Sequence, residues 1–250
     1  NVPAAELLVI KEVCVLKVRI KFTKEGPMKF VGHLDTMRYF QKAVRRAGLP
    51  VAFSGGYSPH MIMSFAAPLG VGVESLGEYF DLELTKTIPT SQIRDLLDAQ
   101  MTEGVHVLSA RKVEDGKAGK AMSLVAAADY YVVFREGKEP KCAWREKIQE
   151  FLTQPEILIT KETKKGTKEV DIRPCIYQME LQEQGIFMKL ASASSNYTKP
   201  EAVMNSFCSW LKEEMPEFPW MVKRLEVYAD LGNEDNHRFV TLEALGEEIE

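Results

Sequence analysis

Residues 17–22 read KVRIKF, and residues 32–48 read GHLDTMRYFQKAVRRAG. In the first stretch basic and apolar residues alternate, which is the period of a half-buried strand. In the second, Leu34, Met37, Phe40, Val44 and Ala47 recur every three or four positions, so they share one helix face. Gly48 fits the helix stop, and Pro50 bars easy continuation. A strand running into an amphipathic helix opens a βα unit. The elements downstream decide which kind.

They follow in a regular order. VAF (51–53) reads as a short strand and SGGYSPH (54–60) as a loop. MIMSFAAPL comes next, then the alternating strand GEYFDLEL (77–84), a helix opened by Pro89 and Thr90, and the strand GVHVLSARKV (104–113). After a Gly- and Lys-rich stretch the order returns. DYYVVF (129–134) is a strand, CAWREKIQEFL (142–152) a helix, EILITKET (156–163) a strand, and KKGTKEVDIRP (164–174) a polar, basic loop. CIYQMELQEQG and IFMKLASAS form a hairpin about Gln184-Gly185. KPEAVMNSFCSWL (199–211) is a helix with Pro200 in its first turn, and MVKRLEVYADL (221–231) is the last strand.

The two runs are offset by roughly 110 residues, and each holds the parts of a split βαβ unit. The expected fold is α+β. It comprises two tandem ferredoxin-like halves related by pseudo-duplication, with a mainly antiparallel sheet and helices on one face. The expected divisions are an N-terminal extension (1–16), a first half (17–113), a linker (114–128), a second half (129–231) and an acidic C-terminal tail (232–250).

The chain has 250 residues, 45% of them hydrophobic, enough to bury a sizeable core. No run of about 18 apolar residues appears, so no membrane association is expected. The N-terminal NVPAAELLVIKEVCVLK lacks the basic lead-in and cleavage site of a signal peptide. Cys14, Cys142, Cys175 and Cys208 lie far apart, and His33, His60, His106 and His237 do not pair by spacing. Neither a metal nor another cofactor is expected, and free thiols suit a reducing cytoplasm.

The net charge of −4 argues against a generic nucleic-acid binder, but it is unevenly spread. Residues 17–46 hold nine Lys and Arg against two acids, while residues 226–250 hold eight acids against one Arg. Arg38, Lys42, Arg45 and Arg46 fall on one stripe of the first helix, opposite its apolar face. Lys17, Arg19 and Lys21 add a basic strand face to the same region. Such a patch is either a solvated face or a site for phosphate, which Arg and Lys neutralise without sequence readout.

Asp35 is placed to cap or charge-complement that helix, with His33 beside it. In the loop, Gly55-Gly56 allows close approach, and Tyr57, Ser58 and His60 can contact a bound partner. Ser64 follows on the next strand. A serine nucleophile with His60 as base has no acid to orient it. In the second loop Lys164, Lys165, Lys168 and Arg173 are basic, and Asp171 and Arg173 alternate onto one face. The duplication would put both loops on one cleft.

The motifs Gly32-His33-Leu34-Asp35, Arg45-Arg46-Ala47-Gly48-Leu49-Pro50, Gly56-Tyr57-Ser58-Pro59-His60, Ser64-Phe65, Pro68-Leu69, Gly72-Val73-Glu74-Ser75 and Gly77-Glu78-Tyr79 resemble, in this order, the bacterial radical SAM-linked proteins. KEVDIRP (168–174) is similar to that family's second half, and the likeness covers residues 17 to 230. The family has no established activity. The resemblance implies a separately encoded radical SAM enzyme as partner, a bacterial cytoplasm, and RNA metabolism as context.

A second likeness, in fold, is to the tRNA pseudouridine synthases, whose two halves flank a basic RNA cleft. Their catalytic Asp lies in a loop of the form G-R-T-D-x-G-V-H. Counting back from His60, that position is Gly56 here. The side chain their chemistry requires is missing. Three functions are therefore expected in order: an accessory module that binds RNA or presents substrate, an RNA-modifying enzyme using Asp35 or His60, and a structural docking partner.

Overall fold

The computed structural model describes residues 15–114, 116, 119–163 and 166–250. Residues 1–14 of the extension therefore lie outside it. β1 (Leu16–Lys24) leads into α1 (His33–Arg46), followed by β2 (Met63–Phe65), β3 (Glu74–Leu84), α2 (Thr90–Asp98) and β4 (Val107–Lys112). A short turn of helix, α3 (Ala121–Leu124), enters β5 (Val125–Phe134) and α4 (Trp144–Leu152). Then come β6 (Leu158–Thr163), β7 (Gly166–Asp171), β8 (Ile176–Gln182), β9 (Gly185–Ala191), α5 (Pro200–Trp210), β10 (Trp220–Asp230), β11 (Phe239–Thr241) and the 3-10 turn Leu242–Leu245.

The protein is α+β with one mainly antiparallel sheet. Its main path runs β4-β1-β3-β10-β5-β9-β8, with β2 beside β3 and β11 beside β10. The contact of β3 with β10 is parallel. In the first half Val18, Ile20 and Phe22 of β1 pack with Phe40 and Val44 of α1 and Ile93 and Leu97 of α2. In the second, Trp144, Ile148 and Phe151 of α4 and Val203 and Phe207 of α5 cover Val132, Ile186 and Met188. Strand alternation and helix periodicity, read together, put these side chains on facing surfaces.

Several expectations need correction. β5 begins at Val125, because Ala127 and Ala128 are small, buried and paired with β9 and β10, so the strand takes in part of the expected linker. VAF forms only isolated bridges, Val51 to Leu84 and Phe53 to Met61. EILITKET does not join the main sheet. It pairs with Gly166–Asp171, so most of the expected second loop is strand. The turn of the later hairpin is Glu183-Gln184, with Gln182 opposite Gly185. On α1 the buried positions are Thr36, Phe40, Ala43 and Val44, whereas Leu34 is exposed.

The largest difference concerns the basic strand face. Lys17 and Arg19 are 5% and 1% exposed, so they add nothing to a surface patch. Arg19 bonds to Asp81 through Nε (2.9 Å) and Nη2 (3.3 Å), and donates to the carbonyls of Leu242 and Gly119. Asp81 also accepts from the Ala121 N–H and lies 3.6 Å from Lys17 Nζ. Lys21 pairs with Glu226 (2.6 Å) and Glu243 (3.5 Å).

The cover over this face comes from residues 119–124 and from the C-terminal segment. Residues 232–250 do not hang free. β11 pairs with β10, Leu242 is fully buried, Lys112 and Glu247 exchange backbone bonds, and the Ile249 carbonyl accepts from the Thr90 N–H. Arg111–Glu248 and Lys112–Glu247 ion pairs add to the attachment. Alternation in KVRIKF thus marks two sides of a strand, but both are interior.

Removing one partner of a buried pair leaves the other charge uncompensated, at a cost of about 3–5 kcal/mol. Asp81→Ala should therefore destabilise by that amount in urea unfolding, because Arg19 loses its carboxylate. A loss within the range of an ordinary surface substitution would show that this pair does not anchor the cover.

Candidate functional site

Residues 52–62 form a tongue pinched at its base. Ala52 N–H donates to the Glu83 carbonyl (2.8 Å), Ile62 N–H to the Ala52 carbonyl (3.0 Å) and Ser54 N–H to the His60 carbonyl (2.8 Å). The Ser54 hydroxyl sits 2.7 Å from His60 Nδ1 and accepts from the His60 N–H (3.1 Å). Gly56 has φ +102°, a conformation that favours glycine. The tip therefore turns sharply and carries Tyr57 fully into solvent, with Ser58 and Pro59 exposed beside it.

His60, Ser64, Lys17, Asp81, Glu83 and Lys120 are the polar residues of a cavity of about 210 Å³ beneath the tongue. Asp81 is already committed to Arg19 and Ala121. Among the described residues no three His, Cys, Asp or Glu side chains gather closely enough to hold a metal ion. The Ser54–His60 contact works as a clasp that closes the tongue.

α1 reaches the tongue through residues 47–51. Arg38, Lys42, Arg45 and Arg46 are all exposed on its outer side. Arg38 pairs with Asp35 at 3.1 Å, both side chains about two-thirds exposed, a geometry worth little in water. Arg46 donates to the Gln100 carbonyl. Asp35 lies in the first helical turn, but the helix starts from Gly32 without a side-chain cap. His33 stands edge-on to Phe65, with ring centroids 5.4 Å apart.

The second group of expected residues is placed differently. Lys164 and Lys165 lie outside the described residues. Lys168 is exposed on β7. Asp171 accepts the N–H groups of Ile157 (2.8 Å) and Arg173 (2.9 Å). Arg173 spends its guanidinium on the carbonyls of Leu152 (2.9 Å) and Ile176 (3.4 Å). Asp171 and Arg173 thus fasten the β6–β7 hairpin to the body. No described residue of 163–173 lines the cavity under the tongue.

One cluster went unnoticed in the sequence. Arg224 is 1% exposed and bonds to both oxygens of Glu78, at 2.8 and 2.6 Å, and to the Ala67 carbonyl. Lys24, equally buried, donates to the Val31 carbonyl at 2.5 Å. Burial holds the Lys24 ammonium below its ordinary pKa, with Glu78 opposing and Arg224 adding to the effect. The signal was phase. Glu78 falls on the same strand side as Phe80, Leu82 and Leu84, and Arg224 on that of Val222.

The fold and these sites define an α+β protein with an exposed basic helix beside a clasped tongue. The chain belongs to the family described as "Uncharacterized protein conserved in bacteria (DUF2344)", whose model matches residues 17–200. No curated protein matches it. Among solved structures, the chain is similar to an unknown protein from Galdieria sulphuraria at 10% identity, covering 84% of this chain and 97% of that one, with a TM-score of 0.26. A superposition that loose carries neither fold nor function across.

Exposed hydrogen bonds contribute about 1 kcal/mol or less. Ser54→Ala should leave the unfolding midpoint nearly unchanged while the His60 amide loses hydrogen-exchange protection. Unaltered exchange at His60 would show that the clasp does not hold the tongue.

Proposed function

We propose that the protein is a binding module that holds RNA through its backbone and serves a separately encoded radical SAM enzyme. The observation that carries the RNA part is the outer face of α1. Arg38, Lys42, Arg45 and Arg46 are exposed there, and among the described residues no carboxylate pairs with Lys42, Arg45 or Arg46. Phosphate oxygens would replace the water on these cations, with no base readout required. Tyr57 at the tongue tip offers a face for stacking an unpaired base. The radical SAM partner rests on the motif resemblance alone.

We also infer that the two halves are tandem ferredoxin-like units. The orders β4-β1-β3-β2 and β10-β5-β9-β8, antiparallel at every step, support this, as does a helix after the first and third strand of each set. In that reading the tongue and the β6–β7 hairpin are equivalent insertions, both between the first helix and second strand. Docking through the acidic C-terminal segment is the poorer reading, because Glu243, Glu247 and Glu248 already pair within the fold.

The Arg45→Glu/Arg46→Glu double variant should fold normally and bind single-stranded RNA at least tenfold more weakly at low salt. Tyr57→Ala should cost a further factor of about five or more, the value of one stacked base. Wild-type affinity in the double variant, or no RNA binding by the folded wild type at low salt, would remove this reading.

A further inference from the structure

A second cavity, of about 340 Å³, opens where the two halves meet. Its walls come from the turn 69–73, from β5 and β10, and from the residues that enter α5. Five of its lining side chains are polar: Tyr130, Tyr197, Lys199, Glu201 and Arg224. The rest are apolar or glycine. This is the composition of a small-molecule site, an apolar lining with a few polar groups that orient the ligand.

Arg224 is the buried charge in the cavity's lining, and Lys24 lies behind it, outside the lining. Both are about 98–99% buried, and Glu78 is the carboxylate that acts on both. Two cations against one carboxylate leave one positive charge over, in a place where charge is costly unless paired. On the rim Lys199 and Glu201 cancel. The Tyr130 hydroxyl is buried and lies close enough to Tyr197 and Arg224 to interact with them, yet it makes no hydrogen bond of proper geometry to either. A buried hydroxyl without a partner is rare in a native interior. The start of α5 adds little by itself, since Pro200 has no N–H and the Ala202 N–H is given to the Lys199 carbonyl.

We propose that this cavity binds a small organic anion. Its phosphate or carboxylate head meets Arg224 and the Tyr130 hydroxyl, Lys199 closes over it, and its apolar part lies against Val73 and Val222. The head brings a negative charge to the Arg224 side of this cluster and an acceptor for the idle hydroxyl. Arg224 is held in place by Glu78, so its guanidinium is presented without reorganisation. The site is separate from the RNA surface on α1 and stands whether or not that surface binds RNA.

The test is calorimetric titration of the full chain with phenyl phosphate and with benzoate. Saturable one-to-one binding of at least one probe is expected, and which one binds identifies the head group. Tyr130→Phe keeps the ring and removes the hydroxyl, and should weaken binding about threefold to tenfold. Lys199→Met, on the exposed rim, should weaken it by a similar factor. Arg45→Glu/Arg46→Glu should leave it unchanged. Absence of saturable binding of both probes up to about 20 mM, far weaker than a built site would give, would overturn the proposal. So would undiminished affinity in both Tyr130→Phe and Lys199→Met while each remains folded.

Discussion

The parallel contact between β3 and β10 is the constraint on which the rest depends. It spans two residue pairs, Lys223 with Glu74 and Arg224 with Ser75. Further along β3, the partner is β2 instead. So short a ladder cannot hold two halves by backbone bonds alone. Side chains do the remaining work. Arg224 is fixed to Glu78 on one side of the sheet, and on the other the Tyr79 hydroxyl donates to Glu226 (2.7 Å), which also takes Lys21. Burial, followed by the Glu226 charge, pushes the Tyr79 phenol well above its usual range and keeps it a donor. Gly77 lies between these two contacts. A Cβ there would come within 2.9 Å of the Leu225 carbonyl and of the Glu226 carboxylate, so only glycine permits this approach.

A junction made of buried ion pairs is specific rather than strong. Replacing such pairs with apolar residues is often neutral or stabilising. What they provide is one relative register, since a shift by one residue along either strand would strand Arg224 and Glu78 in the interior. The same register sets Lys24 beside Glu78 and brings the 69–73 turn, anchored by the Ala67 carbonyl on Arg224, over β5 and β10. The cavity between the halves is thus a by-product of how they are joined, and its charge is that of the joint.

Element order was legible in the sequence because each helix and most strands carry their own periodicity. KVRIKF, GEYFDLEL and the first helix are clear cases, wrong by only a few residues at their ends. What could not be read was which of two alternating strand faces meets solvent. Lys17, Arg19 and Lys21 looked like surface because nothing local shows that residues 119–124 and the C-terminal segment close over this face. The contacts to Leu242 and Glu243 lie more than 200 positions away in sequence. The polar stretch 164–174 looked like a loop for the opposite reason. Its strand β7 is exposed on most positions and pairs with β6 in a two-stranded sheet, so hydrophobic alternation never develops. The tongue was legible as a loop from Gly55-Gly56 and Ser58-Pro59, whereas its Ser54–His60 clasp depends on a closure that spacing alone does not give.

Charge is where the sequence and the fold differ most in meaning. The basic run of residues 17–46 and the acidic run of residues 226–250 are not two surfaces for two partners. Lys21 meets Glu226 and Glu243, Lys29 meets Glu74, and Arg19 meets Asp81, so five of the nine N-terminal cations are interior or paired with carboxylates of other elements once Lys17 and Lys24 are counted. Only the four on α1 remain for an outside ligand. They span nine residues, from Arg38 to Arg46, about 12 Å of helix. Even if each met one phosphate, the slope of log affinity on log salt for single-stranded RNA would not exceed about −3. A footprint that small positions a strand without gripping it. In the proposed RNA reading, preference for one RNA would come from what stands beside the stripe, and Tyr57, held out in solvent at the tip of the tongue, is the side chain placed to supply it.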